Sequence, residues 1–167
     1  ISSLKAHQAS AHDAITNGGL KKRLLYHATG SGKTITALAS ARTLLDEKKI
    51  DAVMIVCPKK TIPQWKKQMM RFTNGKRIEV CSYRIGLKDV ISRKNDRDSS
   101  QRDRNSRILL IVDEIHNFKL SKFANPARKK RPTKKGKRQL TWAEYCDKSL
   151  ACLMIRACRN SEYVIMM

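Results

Sequence analysis

The sequence lacks any long hydrophobic run and is poor in acidic residues. Its longest apolar stretches, such as ILLIV at 108–112, are far shorter than the roughly 18 residues that a membrane-spanning helix needs, so we expect no membrane span. The 14 aspartates and glutamates face 36 lysines and arginines, which gives a formal net charge of +22. Because such an excess attracts polyanions over long distances, nucleic acid is the first partner to consider. Acidic proteins and acidic membrane surfaces would be attracted by the same field.

The cysteines include no C-x-x-C pair, and their number is odd. Three of them recur every six residues, a spacing that scatters them around a helix. This pattern favours buried, reduced thiols over a zinc site or a disulfide framework. With no signal-peptide pattern present, it predicts a reducing intracellular compartment, nucleus or cytoplasm, and not secretion. The cysteines are Cys57, Cys81, Cys146, Cys152 and Cys158.

The ends of the chain indicate a piece of a larger protein. It begins with Ile1 rather than Met, and it ends in YVIMM, which is typical of a buried strand. The 41% apolar content is enough for one globular core. We therefore interpret residues 1–167 as one domain that is incomplete at its C-terminal end.

Apolar strand patterns alternate with helical patterns along the chain. Such alternation predicts an α/β fold with a mainly parallel sheet that is covered by helices on both faces. The predicted strands are KRLLYH, DAVMIVC, RIEVCSY, RILLIVDE and EYVIMM. The predicted helices are LKAHQASAHDAI, GKTITALASARTLLDEKK, TIPQWKKQMMRF and TWAEYCDKSLACLMIRACR.

Two segments interrupt this pattern. Residues 92–107 contain no apolar side chain and predict an exposed, mobile loop. Residues 125–139 form an almost purely basic insert, which includes Arg128, Lys129, Lys130 and Arg131. The insert is open to three interpretations: a non-specific nucleic-acid tether, a nuclear-import signal, or a solvated surface loop.

The stretch HATGSGKT at 27–34 has the composition of a phosphate-binding loop. Gly30 and Gly32 allow the backbone to turn its N–H groups inward, and the following helix adds its positive dipole end. The loop residues predicted to contact phosphate are Thr29, Gly30, Ser31 and Gly32. The alternative is a flexible connection from strand to helix with an incidental lysine.

The two residues after this loop add charge and a metal ligand. Lys33 is predicted to reach the β- and γ-phosphates of ATP, and Thr34 to offer its hydroxyl to Mg²⁺. The loop departs from the strict G-x-x-x-x-G-K-[ST] pattern, because His27 stands where that pattern has glycine. This departure points to a branch of P-loop proteins in which the first position is relaxed.

The stretch ILLIVDEIHNF at 108–118 places two carboxylates at the end of an apolar strand. Asp113 is predicted to hold Mg²⁺ near Thr34, and Glu114 to orient and deprotonate an attacking water. The alternative is an ordinary surface Asp-Glu pair that closes a strand. None of the other histidines makes a recognisable ligand pair with His116. Once the family motif named in the next paragraph is recognised, a hydrogen-bonding role in coupling hydrolysis to the rest of the protein is favoured over a metal site.

In combination these stretches resemble the superfamily 2 helicases and translocases of the DExH-box kind. LKAHQ is similar to the helix ahead of the P-loop, ATGSGKT to motif I, VCPKKTIPQW to motif Ia and VDEIH to motif II, while CSY occupies the place of the next nucleic-acid-facing strand. The sequences CPKKTIPQWKKQMMRF and IVDEIHNF look especially like those of the DNA-dependent ATPases of large DNA viruses and their Swi/Snf-type relatives. The resemblance covers most of residues 4–118.

The resemblance implies a three-layer RecA-like lobe that hydrolyses ATP with Mg²⁺ to move along or remodel nucleic acid, DNA in preference to RNA. Gln8 would read adenine, and Lys59, Lys60 and Thr61 would touch the phosphate backbone of a bound strand. The alternative for the two lysines is a solvated loop. Trp65 is favoured as a core anchor over a base-stacking platform, because it falls in a helix beside other apolar residues at helical spacing.

The resemblance also implies a second RecA-like lobe, which would supply the arginine fingers, and no membrane partner. A chain without that lobe should bind nucleotide and hydrolyse it poorly. Two functions of other classes stay open from the residues alone: a P-loop enzyme such as a small-molecule kinase, and an inactive nucleic-acid-binding scaffold.

Overall fold

The computed structural model describes residues 4–26, 28, 30–72, 77–95, 107–118 and 149–167. Helices and strands alternate through these ranges. The helices are α1 (Ala6–Thr16), α2 (Lys33–Asp46), α3 (Ile62–Phe72), α4 (Tyr83–Asn95) and α5 (Leu150–Asn160). The strands are β1 (Lys22–Leu24), β2 (Ala52–Cys57), β3 (Ile78–Ser82), β4 (Ile108–Val112) and β5 (Tyr163–Met166). Short 3-10 turns cover Lys59–Thr61 and Ile115–Asn117.

The five strands form one parallel sheet in the order β1-β5-β4-β2-β3. Every residue of β2 and β4 is buried, which explains why their sequences are continuous apolar runs rather than alternating ones. The edge strands β1 and β3 carry more polar residues, as expected for strands with one unpaired side.

Helices cover both faces of the sheet. Alternate residues of β2 point to opposite sides, so Val53 packs in one apolar cluster and Met54 in the other. The first cluster includes Leu38 of α2 and Trp65 of α3, and the second includes Leu87 of α4. The predicted three-layer α/β architecture of RecA-like type is confirmed.

All strands of a parallel sheet end at the same edge, and this edge collects the segments that carry the motifs. The P-loop follows β1, the Lys59–Thr61 turn follows β2, Tyr83 follows β3 and Asp113 follows β4. Backbone hydrogen bonds continue the register past the strand ends, since the Asp113 amide donates to the Val56 carbonyl at 3.0 Å. Ligands of open parallel sheets bind at this carboxyl edge.

Several element boundaries differ from the sequence-based expectations, and α4 is a helix that was not predicted. The first strand ends at Leu24 rather than His27, and the last helix begins at Leu150, after Ser149 as its extended N-cap, rather than at Thr141. Tyr83, predicted as the end of the third strand, is the first residue of α4. The predicted loop at 92–107 is too long at its start, because α4 continues to Asn95. Arg93 explains the extension, since its guanidinium forms ion pairs with Asp89 at 2.7 Å, one helical turn earlier, and with Glu79 of β3 at 2.8 Å.

The rest of that loop, residues 96–106, lies outside the described residues, and so does the whole basic insert, residues 125–139. Of the four cysteines in the described ranges, Cys57 and Cys152 are buried, as predicted, and Cys81 and Cys158 are half-buried. Within the same ranges no helix combines the length and the apolar character that crossing a membrane requires.

Candidate nucleotide site

The loop between β1 and α2 turns sharply at two glycines. Gly30 has φ 80° and Gly32 has φ 86°, in the left-handed region that glycine adopts without strain. The Ser31 amide donates to the Ala28 carbonyl at 3.2 Å within this turn. Gly32 is the N-cap of α2, so the free amides and the positive dipole end of that helix face the loop. A loop of this shape can bind an anion.

Beside this loop, at the carboxyl edge of the sheet, lies a cavity of ≈ 400 Å³. Its walls come from the P-loop, from α3 and from the end of β4. The predicted site residues that line it are Gly30, Lys33, Thr34, Thr61, Asp113, Glu114 and His116. The fold therefore brings together side chains from three separate connections of the sheet.

Asp113 is held in place through its backbone and through its side chain. Its carboxylate Oδ2 accepts a 2.8 Å hydrogen bond from Trp65 Nε1, and its carbonyl accepts a 2.7 Å hydrogen bond from the Tyr83 hydroxyl. Burial raises the pKa of the Asp113 carboxyl, while the Trp65 bond and the charge of Lys33 act in the opposite direction.

Glu114 has an unusual backbone conformation for its residue type. Its φ of 55° and ψ of 51° are left-handed, which is uncommon outside glycine, asparagine and aspartate. The Ile115 amide fixes this turn by donating to the Met167 carbonyl at 2.9 Å. Strained residues of this kind cluster at functional sites, where the surrounding structure determines their geometry.

His116 contacts the side chain of Glu114. Its Nε2 lies 3.1 Å from Glu114 Oε2, and its side chain is 74% exposed. The pair lines the cavity on one side and faces solvent on the other. The coupling role of His116 stays a prediction, and this contact is the one through which it would act.

Gln8 of α1 lies against the P-loop and is buried. Its Oε1 accepts a hydrogen bond from the Lys5 amide, and its Nε2 donates to the Ser31 carbonyl, each at 2.9 Å. Both ends of the amide thus bind the protein in this conformation. The adenine contact predicted for Gln8 would require at least one of these bonds to be exchanged, and it stays a prediction.

The Lys59–Thr61 turn connects the cavity to the solvent. Lys59 and Lys60 are exposed. Thr61 is half-buried and lines the cavity, and its hydroxyl donates to the Pro58 carbonyl at 2.9 Å. Both cations are therefore accessible to a polyanion within one short turn of a residue that faces the nucleotide cavity.

Five residues at the site were not predicted as part of it. Trp65 was assigned to the core, and its 3% exposure confirms this, but its indole N–H also reaches Asp113. Tyr83 packs edge-on against Phe118 with ring centroids 4.7 Å apart, and burial is the main cause that raises its pKa to about 12. Gln64, Gln68 and Met167 also line the cavity. Tyr83 directly follows β3, a position that could have pointed to it, whereas Trp65 and Gln68 lie inside α3.

Five predicted site residues of the loop and the insert lie outside the described ranges, as does His27. These five are Thr29, Arg128, Lys129, Lys130 and Arg131.

The donor set of the cavity fits a magnesium nucleotide. Thr34 offers a hydroxyl and Asp113 offers a carboxylate, the hard oxygen ligands that Mg²⁺ takes together with substrate phosphates. Lys33 and the amides of the glycine turn add positive charge for a triphosphate. The residues present therefore suit ATP with Mg²⁺.

This arrangement defines a P-loop nucleotide-binding lobe: an anion-binding loop after one parallel strand, and an Asp-Glu pair after a second strand two positions away in the sheet. Residues 1–136 match the model of the family described as Type III restriction enzyme, res subunit, and the chain belongs to this family. The family is of the superfamily 2 helicase type, so the chain is, in general form, an ATP-dependent, helicase-like motor lobe. No curated protein matches the chain in sequence.

Proposed function

We propose that the chain is the ATP-binding lobe of a DExH-type ATPase that is stimulated by nucleic acid and couples hydrolysis to movement along, or remodelling of, DNA in preference to RNA. One observation carries this proposal: Lys33, Thr34, Asp113 and Glu114, which come from two connections of the sheet, line one cavity. The sequence DEIH at 113–116 supports assignment to the DExH-box class of helicases. The resemblance to DNA-dependent ATPases of large DNA viruses supports DNA as the track and a virus-encoded protein.

Lys33 and the amides of the glycine turn would bind the phosphates of ATP, while Thr34 and Asp113 would hold Mg²⁺. When bound, the cation would neutralise charge on those phosphates. Glu114 orients a water and takes its proton. His116 fixes the position of the Glu114 carboxylate through the 3.1 Å contact and acts as the coupling residue.

The turn after β2 is the proposed contact with the polymer. Lys59 and Lys60 are exposed there, and the start of a helix presents free amides to a phosphate. Such contacts read the backbone rather than the bases. The net charge of +22 would increase the rate of encounter with any polyanion.

The basic insert, which includes Arg128, Lys129, Lys130 and Arg131, is proposed as a second, non-specific nucleic-acid tether. Deletion of residues 126–138 tests this role on its own. We expect weaker binding and a shallower dependence of affinity on salt. An unchanged affinity with an unchanged salt slope would exclude the tether and leave a solvated loop.

A second RecA-like lobe in the parent chain would supply the arginine fingers, which are worth roughly 10³–10⁵ in rate. We therefore propose that residues 1–167 alone bind ATP but hydrolyse it poorly. The proposed setting is intracellular and reducing, in the nucleus or the cytoplasm.

The experiment is ATP turnover by the two-lobed parent chain without polymer and with duplex DNA, single-stranded DNA or RNA. We expect DNA to raise the rate, and Glu114→Gln to lower it by roughly 10²–10⁴ because the base that activates water is lost. Lys48→Gln, an exposed cation at the opposite edge of the sheet, is the matched control and should leave turnover unchanged.

Other outcomes would contradict the proposal. Turnover that no polymer changes would exclude the motor and favour a small-molecule phosphotransferase. Nucleotide binding without any turnover, together with polymer binding that is indifferent to Glu114→Gln, would favour a scaffold.

A further inference from the structure

Two segments that follow neighbouring strands meet at Asp113. From α3, the Trp65 indole N–H donates to the Asp113 carboxylate at 2.8 Å. From the start of α4, the Tyr83 hydroxyl donates to the Asp113 carbonyl at 2.7 Å. One donor thus sets the side chain of this residue and the other sets its backbone.

Trp65 is joined to the lysine turn by helical backbone. It lies four residues after Thr61, about one turn along a continuous helical path that begins in the Lys59–Thr61 segment. It is also buried in the core beneath α3. A change in the backbone of the lysine turn on binding a polyanion would have a direct path to the indole and to its hydrogen bond with Asp113.

Tyr83 is fixed in a similar way at the other side of Asp113. Its ring packs edge-on against Phe118, and its hydroxyl also accepts a 3.3 Å hydrogen bond from Asn117 Nδ2. Any displacement of the β3–α4 connection would alter the hydrogen bond to the Asp113 carbonyl and so the position of the Asp113 backbone.

Partners of this kind matter for metal binding. A group that hydrogen-bonds a ligating carboxylate orients it and tunes its basicity, and removal of such a partner typically costs about 10–100-fold in metal affinity or activity. With Oδ2 bound to Trp65, the orientation of Oδ1 depends on the position of the indole.

We propose that Trp65 and Tyr83 are positioning residues that link the Lys59–Thr61 surface to the magnesium-binding carboxylate of Asp113, so that polymer binding and Mg²⁺·ATP binding strengthen each other. This proposal rests on the proposed function, because it needs both ligands. The coupling must be reciprocal: the factor by which DNA raises the affinity for Mg²⁺·ATP equals the factor by which Mg²⁺·ATP raises the affinity for DNA.

The test measures that coupling factor in the two-lobed parent chain, with a duplex DNA oligonucleotide and a non-hydrolysable ATP analogue. Trp65→Phe and Tyr83→Phe each remove one donor and keep an aromatic ring. We expect each variant to need about 10-fold more Mg²⁺ for half-maximal nucleotide binding and to bring the coupling factor close to one. Affinity for DNA in the absence of nucleotide should stay at the wild-type value.

Two controls separate positioning from folding. Met70 lies on the same helix as Trp65 and is 76% exposed, so Met70→Ala should change neither the Mg²⁺ requirement nor the coupling factor. Benzothienylalanine at position 65 replaces the indole N–H by sulfur at nearly the same shape, and it should reproduce the effect of Trp65→Phe if the hydrogen bond is the cause. In residues 1–167 carrying Trp142→Phe, Trp65 is the sole tryptophan, and its emission should change when Mg²⁺·ATP binds.

The outcomes are distinguishable from failure of the proposed function. Wild-type coupling that persists in both Phe variants and in the benzothienyl analogue would overturn the link and leave the motor in place. A wild-type chain that binds DNA and Mg²⁺·ATP with no mutual effect, while DNA still raises its rate of ATP turnover, would overturn the link and leave the motor in place. Turnover that no polymer changes would instead contradict the proposed function.

Discussion

Gly32 lies so close to Gln8 that a Cβ atom at position 32 would overlap Gln8 Nε2, and any side chain there would displace the Gln8 amide. A Cβ at Gly30 would meet no atom within 4 Å. Both glycines have positive φ, but only Gly32 also needs the space. Position 30 therefore favours glycine for its backbone conformation alone, and position 32 favours glycine for its conformation and for lack of space.

Gly32→Ala should destabilise the protein more than Gly30→Ala. Both variants place alanine in the left-handed region, which costs about 1–2 kcal/mol. Gly32→Ala also displaces the Gln8 amide from Ser31, and loss of that hydrogen bond adds about 1 kcal/mol. Urea unfolding measures the difference. Gln8→Ala in both backgrounds should remove the additional loss, and equal destabilisation by the two glycine variants would contradict the steric explanation.

A side chain at position 86 is expected to disturb packing in the second apolar cluster, because a Cβ atom there has too little space. A Cβ there would lie 2.5 Å from Val56 Cγ1 and 3.2 Å from Met54 Sδ, so α4 would be forced away from β2. Gly86→Ala should lower the free energy of unfolding by about 1–3 kcal/mol, although alanine is the better helix former. Gly19→Ala, with open space around its Cβ, is the control and should have no such effect. A Gly86→Ala variant as stable as the wild type would contradict this packing.

Much of the fold could be predicted because its signals are local. The apolar run ILLIV predicts a buried strand by itself, and the glycines before Lys33 predict a phosphate loop by themselves. The hydrogen bond between Trp65 and Asp113 joins residues 48 positions apart, and no local pattern encodes it. No helix was predicted at 83–95, and α4 was missed for the same reason, since Arg93 stabilises it partly through Glu79 of another element. Gln8 was predicted to face a ligand, whereas its position against the P-loop depends on how α1 docks.

The ion pair between Asp51 and Arg107 predicts a dependence of stability on pH. The hydrogen bonds and charge of Arg107 hold the pKa of the Asp51 carboxyl below its usual value. Because the folded pKa is lower than the unfolded one, the stabilisation is fully present above the ordinary carboxyl pKa of about 3.9 and is lost as the pH falls through the lowered value.

The measurement is a double-mutant cycle with Asp51→Asn and Arg107→Gln, followed by urea unfolding at neutral pH and at successively lower pH. The interaction between the two residues should be favourable at neutral pH and decrease below about pH 4. An interaction of the same size across this range would show that the charge of Asp51 does not contribute.

Lys59 and Lys60 predict a change in the salt dependence of DNA binding. Each lysine that touches a phosphate contributes about 0.9 to the slope of log affinity against log salt concentration. Lys59→Gln and Lys60→Gln should each reduce the slope by about this amount and leave nucleotide affinity without polymer unchanged. Lys48→Gln should leave the slope at the wild-type value, and slopes that are equal in all three variants would place the polymer elsewhere.

The most direct test is binding of a fluorescent ATP analogue to this chain, titrated with and without Mg²⁺, in the wild type and in Lys33→Ala. If the glycine turn, Lys33 and Asp113 form one site, the wild type binds the analogue, and either removal of Mg²⁺ or loss of the Lys33 charge weakens binding by at least about 10-fold, the equivalent of 1.4 kcal/mol. Equal affinity in the two proteins, with or without Mg²⁺, would contradict a magnesium nucleotide site in this cavity.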